Sequence, residues 1–303
     1  MGNTNLLIKK LNNREIVLLS GGMGTEILRR GVSTKMPLWS TEVLFTHPEV
    51  VEQIHIDYIK AGAKVITTNT FRTQKRTLAK VGKGDQAREI TILACKLAKN
   101  AVKKTGKTVL IAGSIAPLED CYSPELTPPD DEPRAEHLEH AQNLKEGGVD
   151  FLLIETMITQ RETLAAIFAA KSVGLPFAVS FCCNDKFQLL SGEDLGVVVK
   201  EVEKFEPLFI SINCINQEIV NKTIKKLKEI TKYPIGAYAQ GDGDPDDGQG
   251  WTFSTNKKSI EGYIKNVKEW IKSGAQIIGG CCGTTPEYIK ALANLIDKQD
   301  LVL

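Results

Sequence analysis

Two adjacent cysteines, Cys281 and Cys282, lie in a segment framed by Gly279, Gly280 and Gly283. Adjacent thiols can form a packed core pair, a redox pair, or two ligands of one metal ion. Consecutive side chains on a regular strand point to opposite faces, so a strand could not direct both sulfurs at one ion. Glycines allow a sharp backbone bend without Cβ clashes. The glycine frame therefore favours two ligands presented from one turn.

The elements that would position these thiols are short apolar segments alternating with amphipathic ones. Continuously apolar segments indicate parallel strands covered on both faces, and helical spacing is seen at 48–62, 219–232 and 286–298. Eight strand–helix units predict a (β/α)8 TIM barrel, a single α/β domain over residues 1–303, with a doubly wound sheet as the alternative. The predicted strands are 16–20, 64–69, 108–114, 150–156, 176–182, 207–214, 234–240 and 276–282.

Polar residues mark the carboxyl ends of several predicted strands. In a barrel these ends meet on one face, which would bring Cys214 to Cys281 and Cys282. The polar strand ends are Ser20-Gly21-Gly22, Asn69, Glu155, Asn213-Cys214 and Cys281-Cys282. Cys182 and Cys183 also follow a strand, but they lack the glycine frame, and we expect them in the core or near the site.

Three converging thiolates suit Zn²⁺, which prefers sulfur ligands and tetrahedral geometry. The sequence therefore predicts a zinc site formed by Cys214, Cys281 and Cys282. Three protein ligands leave one position open, as in a catalytic site. An open position can take a substrate thiol, whose pKa of about 8.5 leaves little thiolate at neutral pH without help. Attack by sulfur on an activated alkyl group is the chemistry that follows.

The composition is that of an ordinary soluble globular protein, with 42% hydrophobic residues and a formal net charge of +1. The balanced charge gives no basis for binding nucleic acid or an anionic membrane, so we expect small-molecule partners. No apolar segment approaches the roughly 20 residues that span a bilayer, and no signal peptide is evident. We predict a cytoplasmic protein with free or metal-bound cysteines. The sequence does not indicate an oligomeric state.

Two long polar loops follow the third and seventh predicted strands, at residues 119–136 and 240–251. Loops at the carboxyl ends of barrel strands usually cover the active-site mouth. We expect these two to do so, with solvated surface insertions as the alternative.

Six segments together resemble the homocysteine S-methyltransferase family, from about Val17 to Ile296. INC combined with GGCCGTTPE is specific, whereas PLWS or TNTF alone would be a weak match. The matching segments are GGMGTE (21–26), PLWS (37–40), TNTF (68–71), IET (154–156), INC (212–214) and GGCCGTTPE (279–287). The resemblance implies a barrel, a zinc ion held by the three cysteines, and methyl transfer to homocysteine that gives methionine.

The methyl donors of such a family include S-methylmethionine, S-adenosylmethionine, betaine and methyl-folate. The folate users carry extra folate and cobalamin domains, for which this chain has no room. The betaine users have a tyrosine after the TNTF-like motif, where this chain has Arg72. The resemblance therefore implies a sulfonium donor.

The resemblance also implies roles for individual residues. Glu155 corresponds to the glutamate that binds the amino group of homocysteine, unless it is an ordinary strand-end ion-pair partner. Asn213 would orient the cysteine or the substrate, or else cap the following helix. Trp39 would present its ring face to the sulfonium, or pack the loop on the core. The first motif contributes Ser20, Gly21 and Gly22 to substrate binding.

Two positions depart from the family pattern. Ser20 stands where the family usually has an aspartate that shares the substrate ammonium with the glutamate. Gln240 replaces the asparagine of a YPNAG-like turn. Both changes are predicted on the amino-acid side of the pocket, so a thiol other than homocysteine is an alternative acceptor.

Two alternatives come from other protein classes. One is a non-catalytic zinc-binding barrel, whose fourth ligand would be Cys182 or Cys183. The other is a thiol oxidoreductase that uses Cys281 and Cys282 as a redox pair. A methyltransferase remains the leading hypothesis.

Overall fold

Parallel strands close into a barrel in the computed structural model, which describes residues 2–129, 131–241, 243–246, 250–252 and 257–298. The strands within these residues are Val17–Leu18 (β1), Val65–Thr67 (β2), Leu110–Ile115 (β3), Phe151–Met157 (β4), Phe177–Phe181 (β5), Ile210–Asn213 (β6), Ile235–Tyr238 (β7), Asp244–Asp246 (β8), Gly250–Thr252 (β9) and Ala275–Ile278 (β10). Eight of them form one sheet in the order β1-β10-β7-β6-β5-β4-β3-β2, and β8 and β9 form a separate antiparallel hairpin.

The sheet closes between β1 and β2. Leu19 and Val65 form a parallel bridge, and the backbone N–H of Lys64 donates to the Leu18 carbonyl at 2.7 Å. The Ser20 N–H donates to the Val65 carbonyl at 2.9 Å. This closure confirms the predicted (β/α)8 barrel over the doubly wound sheet.

Helices cover the outside of the barrel. The segments predicted as helical at 48–62, 219–232 and 286–298 all form helices. The helices are Gly2–Asn12 (α1), Met23–Arg29 (α2), Val43–Thr46 (α3), Pro48–Ala61 (α4), Lys75–Ala79 (α5), Ala87–Thr105 (α6), Glu132–Gly147 (α7), Gln160–Val173 (α8), Leu195–Glu203 (α9), Gln217–Ile230 (α10), Lys257–Lys272 (α11) and Pro286–Asp297 (α12).

Each barrel strand is apolar on both faces because one face packs inside the barrel and the other packs on helices. In β4, Phe151 and Leu153 belong to the interior cluster, whereas Leu152 and Ile154 belong to the cluster shared with the helices. Leu7 and Leu11 of α1 join the interior cluster. Apolar side chains, including those of α1, therefore fill the barrel interior, and the polar strand ends lie together at the carboxyl face.

The observed strands differ from the predicted ones at their ends, and two of these differences concern the cysteines. The last barrel strand ends at Ile278, so Cys281 and Cys282 lie beyond it in a turn. The turn is closed by the Thr284 N–H, which donates to the Cys281 carbonyl at 3.2 Å. Strand β6 ends at Asn213, and Cys214 has a left-handed backbone with φ of 57°. The three cysteines therefore lie just beyond regular strands, where the backbone can turn and bring their sulfurs together.

The two predicted loops lie at the carboxyl face. The first includes a short 3-10 helix at Pro124–Leu126. The second includes the hairpin of β8 and β9, and its residues 242 and 247–249 lie outside the described residues. Among the described helices, none combines the length and apolarity needed to cross a membrane.

Candidate metal and substrate site

The sulfurs of Cys214, Cys281 and Cys282 all lie within 4.8 Å of one another. A tetrahedral zinc with sulfur ligands at about 2.3 Å requires sulfur–sulfur separations of about 3.8 Å, within that limit. Cys214 is buried, and the other two are partly buried against the cavity. The donor set and its spacing fit a soft or borderline divalent metal, and the site offers three protein ligands.

Two buried tyrosines hold the cysteine turn in place. The Tyr58 hydroxyl donates to the carbonyls of Gly22 and Thr284, each at 3.0 Å. The Tyr263 hydroxyl donates to the Gly279 carbonyl at 2.7 Å. Because both side chains are fully buried, the cysteine turn is tied to the loop after β1 (residues 19–22) and to the barrel wall.

The thiol of Cys214 is the most acidic of the three. Hydrogen bonds from the thiols of Cys281 and Cys282 hold the pKa of Cys214 well below its usual range. The same interaction raises the pKa of Cys281, which gives its hydrogen to Cys214. One thiolate shared by three sulfurs is an arrangement that a cation stabilises.

Tyr122, on the first loop, reaches over this cluster. Its hydroxyl lies 3.0 Å from the Cys214 sulfur, and the Gln240 amide donates to that hydroxyl at 3.4 Å. Burial of the hydroxyl holds the pKa of Tyr122 above its usual range, so the phenol serves as a hydrogen-bond donor. Gln240 also helps to lower the pKa of Cys214, which places its side chain with the cysteine cluster. The expectation that it lies on the amino-acid side is corrected.

The remaining cysteines of this region are separate from the cluster. The Cys183 sulfur lies 3.8 Å from the Thr223 hydroxyl, and burial raises the pKa of Cys183 to about 11. The Cys182 sulfur is directed at the Cys214 carbonyl at 4.0 Å. Neither belongs to the described group of candidate metal ligands. A closed four-cysteine site is therefore not formed by the described residues, and all seven cysteines are free thiols.

A cavity of about 420 Å³ opens beside the three cysteines at the carboxyl face of the barrel. It brings together every predicted site residue except Asn213. Those lining it are Ser20, Gly21, Gly22, Trp39, Glu155, Cys214, Cys281 and Cys282.

Glu155 is a buried carboxyl group in the wall of this cavity. Ser114 donates a hydrogen bond to one oxygen at 2.5 Å, and the Tyr238 hydroxyl donates to the other at 3.2 Å. Burial raises the pKa of Glu155 to about 7, although both hydrogen bonds act in the opposite direction. The structure records no ion pair for Glu155 among the described residues, so its charge is available to a ligand ammonium.

The loop after β1 (residues 19–22) approaches the cysteine turn closely. A Cβ at Gly22 would lie 2.6 Å from the Cys281 carbonyl oxygen, so a side chain there would separate the two segments. The Ser20 hydroxyl accepts a hydrogen bond from the Thr67 N–H at 3.3 Å and faces the cavity. Trp39 packs over Gly24, where a Cβ would lie 2.0 Å from the indole nitrogen. The indole therefore both packs the loop and lines the cavity.

Asn213 is fully buried behind the cavity wall. Its side chain accepts from the Thr156 N–H at 3.0 Å and donates to the Thr156 hydroxyl at 2.8 Å. The cap of α10 is Asn216, so the capping alternative for Asn213 is corrected. Asn213 holds the ends of β4 and β6 together, directly before Cys214.

Several lining residues were not assigned roles from the sequence, although they lie in segments that it singled out. Tyr122 lies in the first long loop, Trp251 lies in the second, and Tyr238 ends β7. Arg72, which stands where the betaine users have a tyrosine, also lines the cavity. Their spacing carries no repeated pattern, and only the folded loops bring them to the cavity.

A closed β/α barrel that carries three clustered thiols, able to hold a metal ion, beside a mainly apolar cavity has the features of an enzyme that acts on thiols. Residues 17–296 match the family model described as homocysteine S-methyltransferase. The chain therefore belongs to the homocysteine S-methyltransferase family. This membership confirms the predictions of family, of an S-methyltransferase enzyme, and of homocysteine as the acceptor from which methionine is formed.

Named relatives agree with this membership. The chain is 29% identical to homocysteine S-methyltransferase of Escherichia coli K12, over 96% of this chain and 99% of that protein. It is 27% identical to homocysteine S-methyltransferase 3 of Arabidopsis thaliana, over 93% and 90%. The crystal structure of the homocysteine methyltransferase MmuM from Escherichia coli in its metallated form matches with a TM-score of 0.82 at 27% identity, over 95% of this chain and 98% of that one.

Proposed function

We propose that this chain is a zinc-dependent enzyme that moves a methyl group from a sulfonium donor to homocysteine. The observation that carries the proposal is the placement of three sulfurs within 4.8 Å of one another beside a cavity that also holds Glu155. The metallated form of the Escherichia coli structural relative supports a bound metal ion in this chain. Zinc is the metal that three thiolates and an open position favour.

Glu155 would bind the ammonium of homocysteine. The pKa of Glu155 near 7 means that a cation arriving beside it favours the carboxylate form. Ser114 and Tyr238 hold the two carboxylate oxygens in place before the substrate arrives. The substrate is thereby oriented with its sulfur toward Cys214, Cys281 and Cys282.

The three cysteines would hold the zinc, and zinc bound there would supply a lowered pKa for the substrate thiol. Asn213, Tyr58 and Tyr263 hold the segments that carry the three cysteines in fixed positions relative to one another. Tyr122 would donate a hydrogen bond to the Cys214 sulfur.

The transfer itself is a displacement at carbon. The homocysteine thiolate forms a bond to the methyl carbon while the bond from that carbon to the sulfonium sulfur breaks, and two neutral thioethers remain. Because opposite charges disappear in this step, a cavity that excludes water favours it over bulk solution. Trp39 lines the cavity and can present its ring face to the sulfonium, an interaction of about 1–2 kcal/mol when desolvated.

A donor panel tests the proposal. Purified protein with zinc and homocysteine would be incubated separately with S-methylmethionine, S-adenosylmethionine, betaine and methyl-folate, and methionine would be measured by mass spectrometry. We expect methionine from a sulfonium donor only. Methionine from betaine or methyl-folate alone would contradict the donor class.

A further inference from the structure

Arg72 follows β2 and lines the same cavity, although it is only 6% exposed. Its Nη1 atom donates to the Glu119 backbone carbonyl at 3.1 Å. Its Cζ atom lies 5.6 Å from the centre of the Phe71 ring. The guanidinium is thus fixed in place by one hydrogen bond and one ring contact at the cavity wall.

No carboxylate of the described residues forms an ion pair with Arg72. The nearby Glu119 carboxylate pairs instead with Arg76 and Lys80. A carboxylate oxygen of Asp120 accepts the Tyr122 N–H at 2.7 Å. A buried charge without a counter-ion is costly, because little water remains to solvate it.

The guanidinium carries five N–H donors, and the hydrogen bonds described for the side chain occupy one of them. The planar donor pair of arginine matches the two oxygens of a carboxylate, and such pairs are stronger than neutral hydrogen bonds. A ligand carboxylate in the cavity would supply the missing counter-ion.

We infer that Arg72 binds the α-carboxylate of an amino-acid substrate in this cavity and thereby sets specificity for amino acids over decarboxylated amines. The inference rests on the proposed function, in which homocysteine and an amino-acid sulfonium donor both enter the cavity. Glu155 supplies the anion for an ammonium, and Arg72 supplies the cation for a carboxylate. Together they make the cavity complementary to a zwitterion.

The test uses Arg72→Gln, which keeps a hydrogen-bonding side chain and removes the charge, with Arg72→Lys as a second variant that keeps the charge. Arg88→Gln is the matched control, because Arg88 lies on α6 with an exposed side chain paired to Glu146. Steady-state kinetics would be measured with homocysteine and with 3-aminopropane-1-thiol, its decarboxylated analogue. A parallel series would compare the sulfonium donor with its decarboxylated form.

We expect Arg72→Gln to raise KM for one carboxylate-bearing substrate by about 10- to 100-fold, the usual range for losing a charge-assisted hydrogen bond. KM for its decarboxylated analogue should not change. For the carboxylate-bearing substrate, the KM of Arg72→Lys should lie between that of the wild type and that of Arg72→Gln. If only KM for homocysteine rises, Arg72 binds the carboxylate of the methyl acceptor. If only KM in the donor series rises, Arg72 binds the carboxylate of the methyl donor.

Equal losses with the carboxylate-bearing and decarboxylated forms of both substrates would overturn the inference and assign Arg72 a structural role. Unchanged kinetics in Arg72→Gln would overturn it as well. Thermal unfolding and zinc content of each variant separate misfolding from lost recognition. Absence of methyl transfer in the wild type would instead refute the proposed function.

Discussion

At the scale of single residues, Glu155 combines burial with a charge that no described protein cation neutralises. Its pKa of about 7 makes ammonium binding depend on pH, because only the carboxylate attracts the substrate cation. The free-enzyme carboxyl group is mostly protonated below pH 7 and mostly ionised above it. Homocysteine should therefore be captured more efficiently as pH rises through 7.

The first prediction compares kcat/KM for homocysteine with kcat/KM for 4-mercaptobutanoic acid, which lacks only the amine. The ratio of the two should rise by about tenfold from pH 6 to pH 8, because the ionised fraction of Glu155 rises by about that factor around a pKa near 7. Titration of the thiol cancels in this ratio. Glu155→Gln should abolish the rise, and a rise that persists in this variant would contradict the assignment.

The second prediction concerns Ser20, which lines the cavity with a hydroxyl at the position where the family resemblance implies a carboxylate. Ser20→Asp should tighten homocysteine binding by on the order of tenfold, because a charge-assisted hydrogen bond exceeds a neutral one by about 1.4 kcal/mol. Binding would be measured by isothermal titration calorimetry. The amine-free thiol should bind the variant and the wild type alike, and equal gains for both thiols would show that Ser20 does not face the ammonium.

At the scale of elements, the turn between β10 and α12 decides whether the thiols converge. A Cβ at Gly280 would lie 2.2 Å from the Thr284 hydroxyl oxygen. That hydroxyl donates to the Cys281 carbonyl at 2.7 Å and accepts from the Gly22 N–H at 3.1 Å. A side chain at Gly280 must therefore displace the turn or break these bonds.

The third prediction is that Gly280→Ala lowers zinc affinity by at least about tenfold and lowers the free energy of unfolding by about 1–3 kcal/mol, the usual cost of overpacking. Chelator competition and denaturant unfolding would measure the two effects. Gly262→Ala is the control, since a Cβ there meets nothing within 4 Å in helix α11. If Gly280→Ala binds zinc as tightly as the control, the turn does not position the ligands.

The sequence predicted the elements better than their ends. All eight barrel strands were predicted, because short continuously apolar segments are typical of parallel strands that are buried on both faces. The prediction extended the last strand to residue 282, whereas the backbone leaves the ladder after Ile278. Helix α1 was not predicted, and its Leu7 and Leu11 pack on the barrel interior. Such packing depends on distant residues that a local pattern does not contain.

At the scale of the whole molecule, the barrel brings residues from distant parts of the chain to one face. Because the carboxyl ends of barrel strands meet on one face, the strand ends alone sufficed to predict the cysteine cluster and the position of Glu155. It did not predict Tyr122 over Cys214 or the placement of Gln240, because loop conformation decides both contacts. The site residues at strand ends were thus predictable from the sequence, whereas those on loops were not.

The fourth prediction is that the transferred methyl group inverts its configuration. Direct attack by one sulfur in a single cavity is one in-line displacement. A donor carrying a chiral methyl group, labelled with hydrogen, deuterium and tritium, would be converted to methionine and the product's configuration determined. Net retention would require two displacements through a methylated enzyme group and would contradict direct transfer.

The most direct test of the central claim is the zinc content of the purified protein and of single cysteine variants, measured by inductively coupled plasma mass spectrometry alongside methionine formation. We predict one zinc per wild-type chain and severe loss of both zinc and activity in Cys214→Ala, Cys281→Ala and Cys282→Ala, because retention depends on the full ligand set. Cys183→Ala, a buried cysteine outside the cluster, should keep its zinc. Stoichiometric zinc with full activity in Cys214→Ala would contradict the account.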